Sequence, residues 1–256
     1  MEKIRKTLAQ YSIAVAIYHL VKKMIRYPSF FNEYFIFKKL LEDDKRFTTN
    51  ITDLFPCLLD NTATTGFEPH YVYHPAWACR VVKKINPTKH IDISSTVTFS
   101  TMMSAFIPVD FYDYRPAEIR FDNLECKRGD LMRLPFIDNS IESISCMHTV
   151  EHIGLGRYGD RLDSTGDIKA SKELSRVVKS GGSLVFVVPV GKPKIEFNAH
   201  RIYSYEQVVS MFPDMDIKEF SLVPDDYKKY GLISNADKNM VKEQNWGCGC
   251  FWFIKK

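Results

Sequence analysis

The spacing of apolar positions changes along this chain. Over residues 1–26, Ile4, Leu8, Ile13, Ile17, Leu20, Val21 and Met24 recur near helical spacing and predict an amphipathic helix. Pro28 is expected to break that helix. A second helical segment follows, with Phe30, Phe31, Tyr34, Phe35, Phe37, Leu40 and Leu41 as a stripe that reads as packing surface. Residues 51–67 are irregular, with Asn61 and Gly66 as turn markers. His70–Ala78 then runs into a helix predicted to end near Asn86-Pro87.

From residue 90 onward, short apolar runs alternate with helical stretches. Strands are predicted at His90–Ser94, Pro108–Asp113, Glu125–Arg128 and Ile141–Met147, with a weak helix at Thr98–Phe106. Ile168–Val178 is a helix with Leu174, Val177 and Val178 on one side, and Ser180-Gly181-Gly182 is expected to end it with a left-handed cap. Leu184–Val188 is apolar throughout, the mark of a parallel strand buried on both faces. A helix at Tyr205–Met211 and strands at Ile217–Leu222 and Cys248–Ile254 complete the series. Strands separated by helices predict an α/β fold with a doubly wound, mostly parallel sheet. The division expected is a helical extension over residues 1–50 and one domain over 51–256.

Composition narrows the function classes. With 45% apolar and 26% charged residues in 256, disorder and fibrous architectures are excluded. The net charge is only +4, and the excess is local: Lys3, Arg5, Lys6, Lys22, Lys23 and Arg26 stand against Glu2 alone. No basic stripe with interleaved aromatics follows, so no nucleic-acid partner is expected. The N-terminal helix is read as packing on the main domain or on a second copy, with peripheral contact to anionic lipid as the sharper alternative. It fails as a signal peptide because Tyr18, His19 and Lys22-Lys23 interrupt it without a cleavage site, and its apolar stretch is too short to span a bilayer. A cytoplasmic chain is expected, peripheral at the inner membrane face if that helix touches lipid. The six cysteines are scattered and read as reduced thiols. Cys248 and Cys250 would share one strand face, but no second close pair of ligands accompanies them and no metal is expected.

Ligands of open α/β sheets bind beyond the carboxyl ends of the strands. The residues there are Asp92 with Ser94, Ser95 and Thr96, then Asp113, Gly129-Asp130-Leu131, and His148-Thr149-Val150-Glu151-His152. Asp113 lies 21 residues beyond Asp92, the interval at which a nucleotide-type cofactor has its ribose hydroxyls bound. A turn-capping role for Asp113 fits the spacing equally well. The stretch from Gly154 to Gly166 is too glycine-rich for a helix and reads as a substrate loop or lid.

Three of these segments carry a resemblance. The run Gly129-Asp130-Leu131-Met132-Arg133-Leu134-Pro135-Phe136-Ile137-Asp138, with Glu151-His152-Ile153 and Glu173-Leu174-Ser175-Arg176-Val177-Val178-Lys179-Ser180-Gly181-Gly182, resembles the ordered motifs of class I S-adenosylmethionine-dependent methyltransferases. Glu151–Asp160 and Phe197–Tyr203 are similar to a bacterial methyltransferase-like family associated with surface-polysaccharide biosynthesis, over roughly residues 50–225. The resemblance implies a Rossmann-like seven-stranded sheet with an antiparallel last strand, and S-adenosyl-L-methionine as cofactor. It implies that Asp92, Ser94, Ser95, Thr96, Asp113, Asp130, Leu131 and His148 contact that cofactor. His152 and His200, in that order, are the candidate bases, with Glu151 orienting His152. Arg157, Tyr158, Asp160 and Arg201 are the expected substrate contacts. The implied reaction is O-methylation of a glycan, sugar phosphate or activated capsule precursor. The chain departs from the superfamily at Asp92–Thr98, where the expected glycines are absent. A silent scaffold that docks a partner enzyme is therefore the alternative, and a homo-oligomer or a partner enzyme is the association expected of the chain.

Overall fold

The computed structural model describes residues 2–41 and 46–256, with side chains from residue 14 onward. The chain forms two compact units, Met1–Gly66 and Phe67–Lys256. The first is dominated by one helix, α1 (Glu2–Leu40). The expected break at Pro28 does not occur, and the helix runs through it. Proline removes one backbone hydrogen bond, a local cost of about 3 kcal/mol, which a long helix absorbs without ending. Much of the aromatic stripe is exposed, including Phe35, Phe37 and Leu40, whereas Tyr34 is buried. Among the described residues, no helix is long and apolar enough to cross a membrane.

The second unit opens with α2 (Pro69–Ile85). Glu68 caps it by accepting a hydrogen bond from Tyr71 N at 2.8 Å, Pro69 stands at its first turn, and Asn86 closes it in the left-handed conformation. Then follow β1 (His90–Ile93), α3 (Val97–Met103), β2 (Val109–Asp113), β3 (Leu124–Arg128), β4 (Ile141–Met147) and α4 (Gly166–Val177). Next come β5 (Val178–Val190), the short pair β6 (Lys194–Glu196) and β7 (His200–Ile202), and α5 (Tyr205–Ser210). The chain ends with β8 (Met215–Val223), the single-turn α6 (Tyr227–Tyr230) and β9 (Gly247–Lys255). The main sheet has seven strands in the order β3-β2-β1-β4-β5-β9-β8. All neighbours are parallel except at β9, which runs antiparallel to both β5 and β8. This is the doubly wound, Rossmann-like sheet with an antiparallel last strand.

Both faces of the sheet are covered, which is why β5 reads as an unbroken apolar run. Leu184, Phe186 and Val188 join the core with Leu174 and Val177 of α4, while Val185 and Val187 join Trp77, Val81 and Val82 of α2. The helix-ending role expected of Ser180-Gly181-Gly182 is not what the structure shows. Helix α4 stops at Val177, because Val178 is already paired with Ile141 of β4. The glycines lie instead where the β4–β5 register shifts, between the Ile141↔Val178 and Ser143↔Ser183 pairs. Gly181 has φ +73°, and a Cβ on Gly182 would meet the carbonyls of Ile141 and Lys179 at 2.9 Å. The β6–β7 hairpin was not expected, since three-residue strands carry no readable period.

Phe186 is fully buried, with its ring centroid 5.0 Å from that of Phe212. Phe186→Ala should cost about 3–5 kcal/mol in chemical denaturation. A loss under 1 kcal/mol would mean that the core rearranges around the cavity.

Candidate functional site

The strand order reverses between β1 and β4, and the chain leaves these neighbours in opposite directions. Both exits use a non-glycine residue in the left-handed region: Ser94 with φ 52° after β1, and His148 with φ 54° after β4. Each is held there. Ser94 N–H donates to Tyr112 O at 2.8 Å and His148 N–H to Val187 O at 2.8 Å. Thr149 Oγ1 donates to Ser94 O at 2.8 Å and ties the two exits together. Ser94 thus takes the backbone conformation that a glycine would take, and its hydroxyl folds back onto Tyr112 O at 3.2 Å.

A cavity of about 350 Å³ opens at this edge, within the range typical of small-molecule sites. Ser94, Asp113, Asp130, Leu131 and His148 line it, five of the eight residues expected at the cofactor. Asp113 Oδ1 accepts from Arg115 N at 2.7 Å, and Asp130 Oδ1 accepts from Met132 N at 2.9 Å. Among the described residues, the second oxygen of each carboxylate has no protein partner.

The other three of the eight are placed elsewhere. Asp92 is fully buried beneath the cavity, where Ser145 Oγ donates to Oδ1 at 2.6 Å and Ser100 Oγ donates to Oδ2. The network continues inward: Ser145 accepts from His90 Nε2 at 2.9 Å, and Ser143 donates to His90 Nδ1 at 2.8 Å. Ser95 Oγ accepts from Met147 N at 3.1 Å, and Thr96 caps α3 by accepting from Phe99 N at 3.2 Å. These three side chains hold the turn rather than face the cavity.

The expected catalytic and substrate residues divide in the same way. His152, Tyr158 and Asp160 line the cavity. His152 Nδ1–H donates to Ala199 O at 2.6 Å, which leaves Nε2 as the accepting nitrogen. Glu151 is buried behind, with Oε1 at 3.0 Å from His148 Nδ1 and 3.8 Å from His152 Nε2. Burial opposes its ionisation, but the hydrogen bond and charge of His148 outweigh that and hold its pKa below the usual value. His200 is outside the cavity lining. Its ring centroid is 6.4 Å from that of His152, and burial lowers its pKa. Asp160 serves the loop, its Oδ2 accepting from Gly154 N at 2.7 Å.

Arg201, expected at an anionic substrate, is a buried strut. It donates to Ile153 O at 2.7 Å, Glu151 O at 3.3 Å, Asp163 O at 3.4 Å and Ser164 O at 3.5 Å, and its Nε lies 3.7 Å from Asp167 Oδ2. Its donors are spent on loop carbonyls, so no guanidinium face is left for a ligand. Arg157 also ties the loop, donating to Ala199 O at 3.1 Å. The exposed cations at the cavity are Arg115 and Arg161. The Tyr158 ring lies 4.7 Å from Arg115 and 5.1 Å from Arg157. Tyr114 and Arg115 were not foreseen, although their place directly after the β2 carboxylate was the available signal.

A second group lies behind His148, and its conjunction was not foreseen from the sequence. His70 and His74 of α2 reach the far side of His148, with ring centroids 5.4 and 4.9 Å from it. Cys248 Sγ, from the start of β9, is 3.5 Å from His148 Nε2. Burial lowers the pKa of His70 to about 3 and that of His74 well below the ordinary value, so both imidazoles are neutral at pH 7.

Comparison with solved structures identifies the architecture. The chain superposes on the YcgJ protein of Bacillus subtilis with TM-score 0.51 and 15% identity, covering 72% of this chain and 99% of that one. It superposes on the N-methyltransferase NodS of Bradyrhizobium japonicum, solved with S-adenosyl-L-homocysteine, with TM-score 0.51 and 11% identity, covering 73% and 88%. The fold is that of the class I methyltransferases. The protein family described as "Caenorhabditis protein of unknown function, DUF268" matches residues 136–241. No curated protein sequence matches the chain.

Burial raises the Asp92 carboxyl to about 6, from 3.8 for an exposed group. The folded state therefore binds more protons than the unfolded one between these values. Stability should fall as pH rises from about 4 to 6, by about 3 kcal/mol in total. Asp92→Asn should flatten that slope in thermal melts across the window, and an unchanged slope would assign it to another group.

Proposed function

We propose that this chain is an S-adenosylmethionine-dependent methyltransferase acting on a hydroxyl of a glycan, sugar phosphate or activated glycan precursor. The observation that supports it is the cavity at the reversal of strand order, where Asp113 and Asp130 each present an oxygen free of protein partners. A carboxylate oxygen at Asp113 suits a ribose diol, and one at Asp130 suits an adenine amino group with Leu131 beside the ring. The glycine-poor first turn does not conflict with this, because Ser94 already holds the left-handed backbone and turns its hydroxyl onto Tyr112. The NodS relative was solved with the demethylated form of this cofactor.

The cofactor supplies an activated methyl group, so the protein's work is to align the acceptor and take its proton. His152 Nε2 is the nitrogen suited to accept that proton, since Ala199 O fixes the proton on Nδ1. Glu151, within 3.8 Å of Nε2, would favour the resulting imidazolium. Arg115 and Arg161 at the cavity suit an acceptor that carries phosphate. The resemblance to proteins of surface-polysaccharide biosynthesis supports the glycan.

Calorimetric titration with S-adenosylmethionine should show one site, weakened at least tenfold (about 1.4 kcal/mol) by Asp113→Ala. No heat at millimolar cofactor would overturn the reading and favour the silent scaffold. With any acceptor turned over by the wild type, His152→Gln should lower kcat by about 10²–10⁴-fold and leave cofactor affinity nearly unchanged. Equal kcat would remove His152 as the base.

A further inference from the structure

Three segments far apart in sequence bring ligand-type atoms together in the interior. His70 of α2, His148 after β4 and Cys248 of β9 are all buried, and each offers one donor atom within 4.8 Å of the other two. The His148 Nε2 to Cys248 Sγ distance is 3.5 Å. Tetrahedral zinc, with Zn–N near 2.05 Å and Zn–S near 2.3 Å, sets these two ligand types about 3.5 Å apart.

The hydrogen bonding around the cluster is incomplete. Among the described residues, five buried side-chain polar atoms lack any partner, and two are imidazole nitrogens of this region, His70 Nδ1 and His74 Nε2. A buried polar atom left without a partner is costly, so two such nitrogens beside a histidine–cysteine cluster point to a ligand there. His74 is fully buried and its Nδ1 is engaged with His70 O at 2.6 Å, leaving Nε2 as the unpaired acceptor. The outer contacts match those of a metal site as well. His148 donates its other nitrogen to Glu151 at 3.0 Å, the carboxylate–histidine arrangement that fixes the tautomer of a metal-ligating imidazole. Sulfur with imidazole nitrogen selects zinc over magnesium or calcium.

We infer that His70, His148 and Cys248 bind one zinc ion. The site clamps the start of α2 and the start of β9 onto the turn that leaves β4, and ligation displaces the thiol proton of Cys248. Because His148 also lines the cavity, the ion would lie immediately behind the wall of the candidate active site. The inference stands on this cluster alone and does not need the methyltransferase reading.

The test uses the full chain. Protein purified without chelator should carry about one zinc per chain by elemental mass spectrometry, in keeping with a single closed site. After chelation, Co²⁺ should give the intense visible bands of a tetrahedral site together with thiolate-to-cobalt charge transfer in the near ultraviolet. Cys248→Ser should abolish the charge-transfer band and His70→Gln should weaken Co²⁺ binding at least tenfold, whereas Cys126→Ser should leave both unchanged. Zn²⁺ should also raise the melting temperature of the chelated wild type. Wild-type protein that takes up no Co²⁺ into a thiolate-containing site would overturn the inference, as would a band that survives Cys248→Ser. None of these readouts depends on cofactor binding, so failure here and failure of S-adenosylmethionine binding are separable.

Discussion

The parallel pairing of β1 with β4 is the constraint on which the site depends. Ile91 lies beside Ile144 and Ile93 beside Cys146, and these side chains are locked into one core. Two parallel neighbours whose chains leave toward opposite faces cannot close over their own carboxyl ends. The sheet therefore carries a crevice there as a matter of topology. Ser94 and His148 complete it by accepting left-handed backbone, and the Thr149 hydroxyl fastens one exit to the other. A strained pair of turns persists because the rigid strands beneath them leave no other path.

That geometry sorts the polar residues into two depths. Asp92, Ser95, Ser100 and Ser145 lie below the crevice and hold the turn, while Asp113, Asp130 and His152 lie at its wall. The same division explains Arg201. A guanidinium surrounded by the carbonyls of residues 151, 153, 163 and 164 is a structural rivet, and it makes the loop over 154–166 a built part of the wall.

The alternating sheet was legible in the sequence because its strands are buried on both faces and separated by turns: Ile141–Met147 matched residue for residue, and most other elements to within a few positions. The strand ends were legible too, since topology alone directs attention to Asp113, Asp130 and His152. What escaped depended on distant partners. Nothing local distinguishes Asp92 from a cofactor ligand until Ser145, 53 residues away, is seen donating to it. Val178 leaves its helix because Ile141 is waiting for it, which no propensity records. The His70–His148–Cys248 cluster spans most of the chain, so a search for close ligand pairs passes over it.

The aromatic ring of Tyr158, part of the cavity wall, gathers the guanidiniums of Arg115 and Arg157 against it. The field of such exposed cations reaches about one Debye length into solution, roughly 8 Å at physiological ionic strength. Because Asp113, Asp130 and Asp160 share the same wall, the positive potential of the arginines stays local to this edge and added salt screens it.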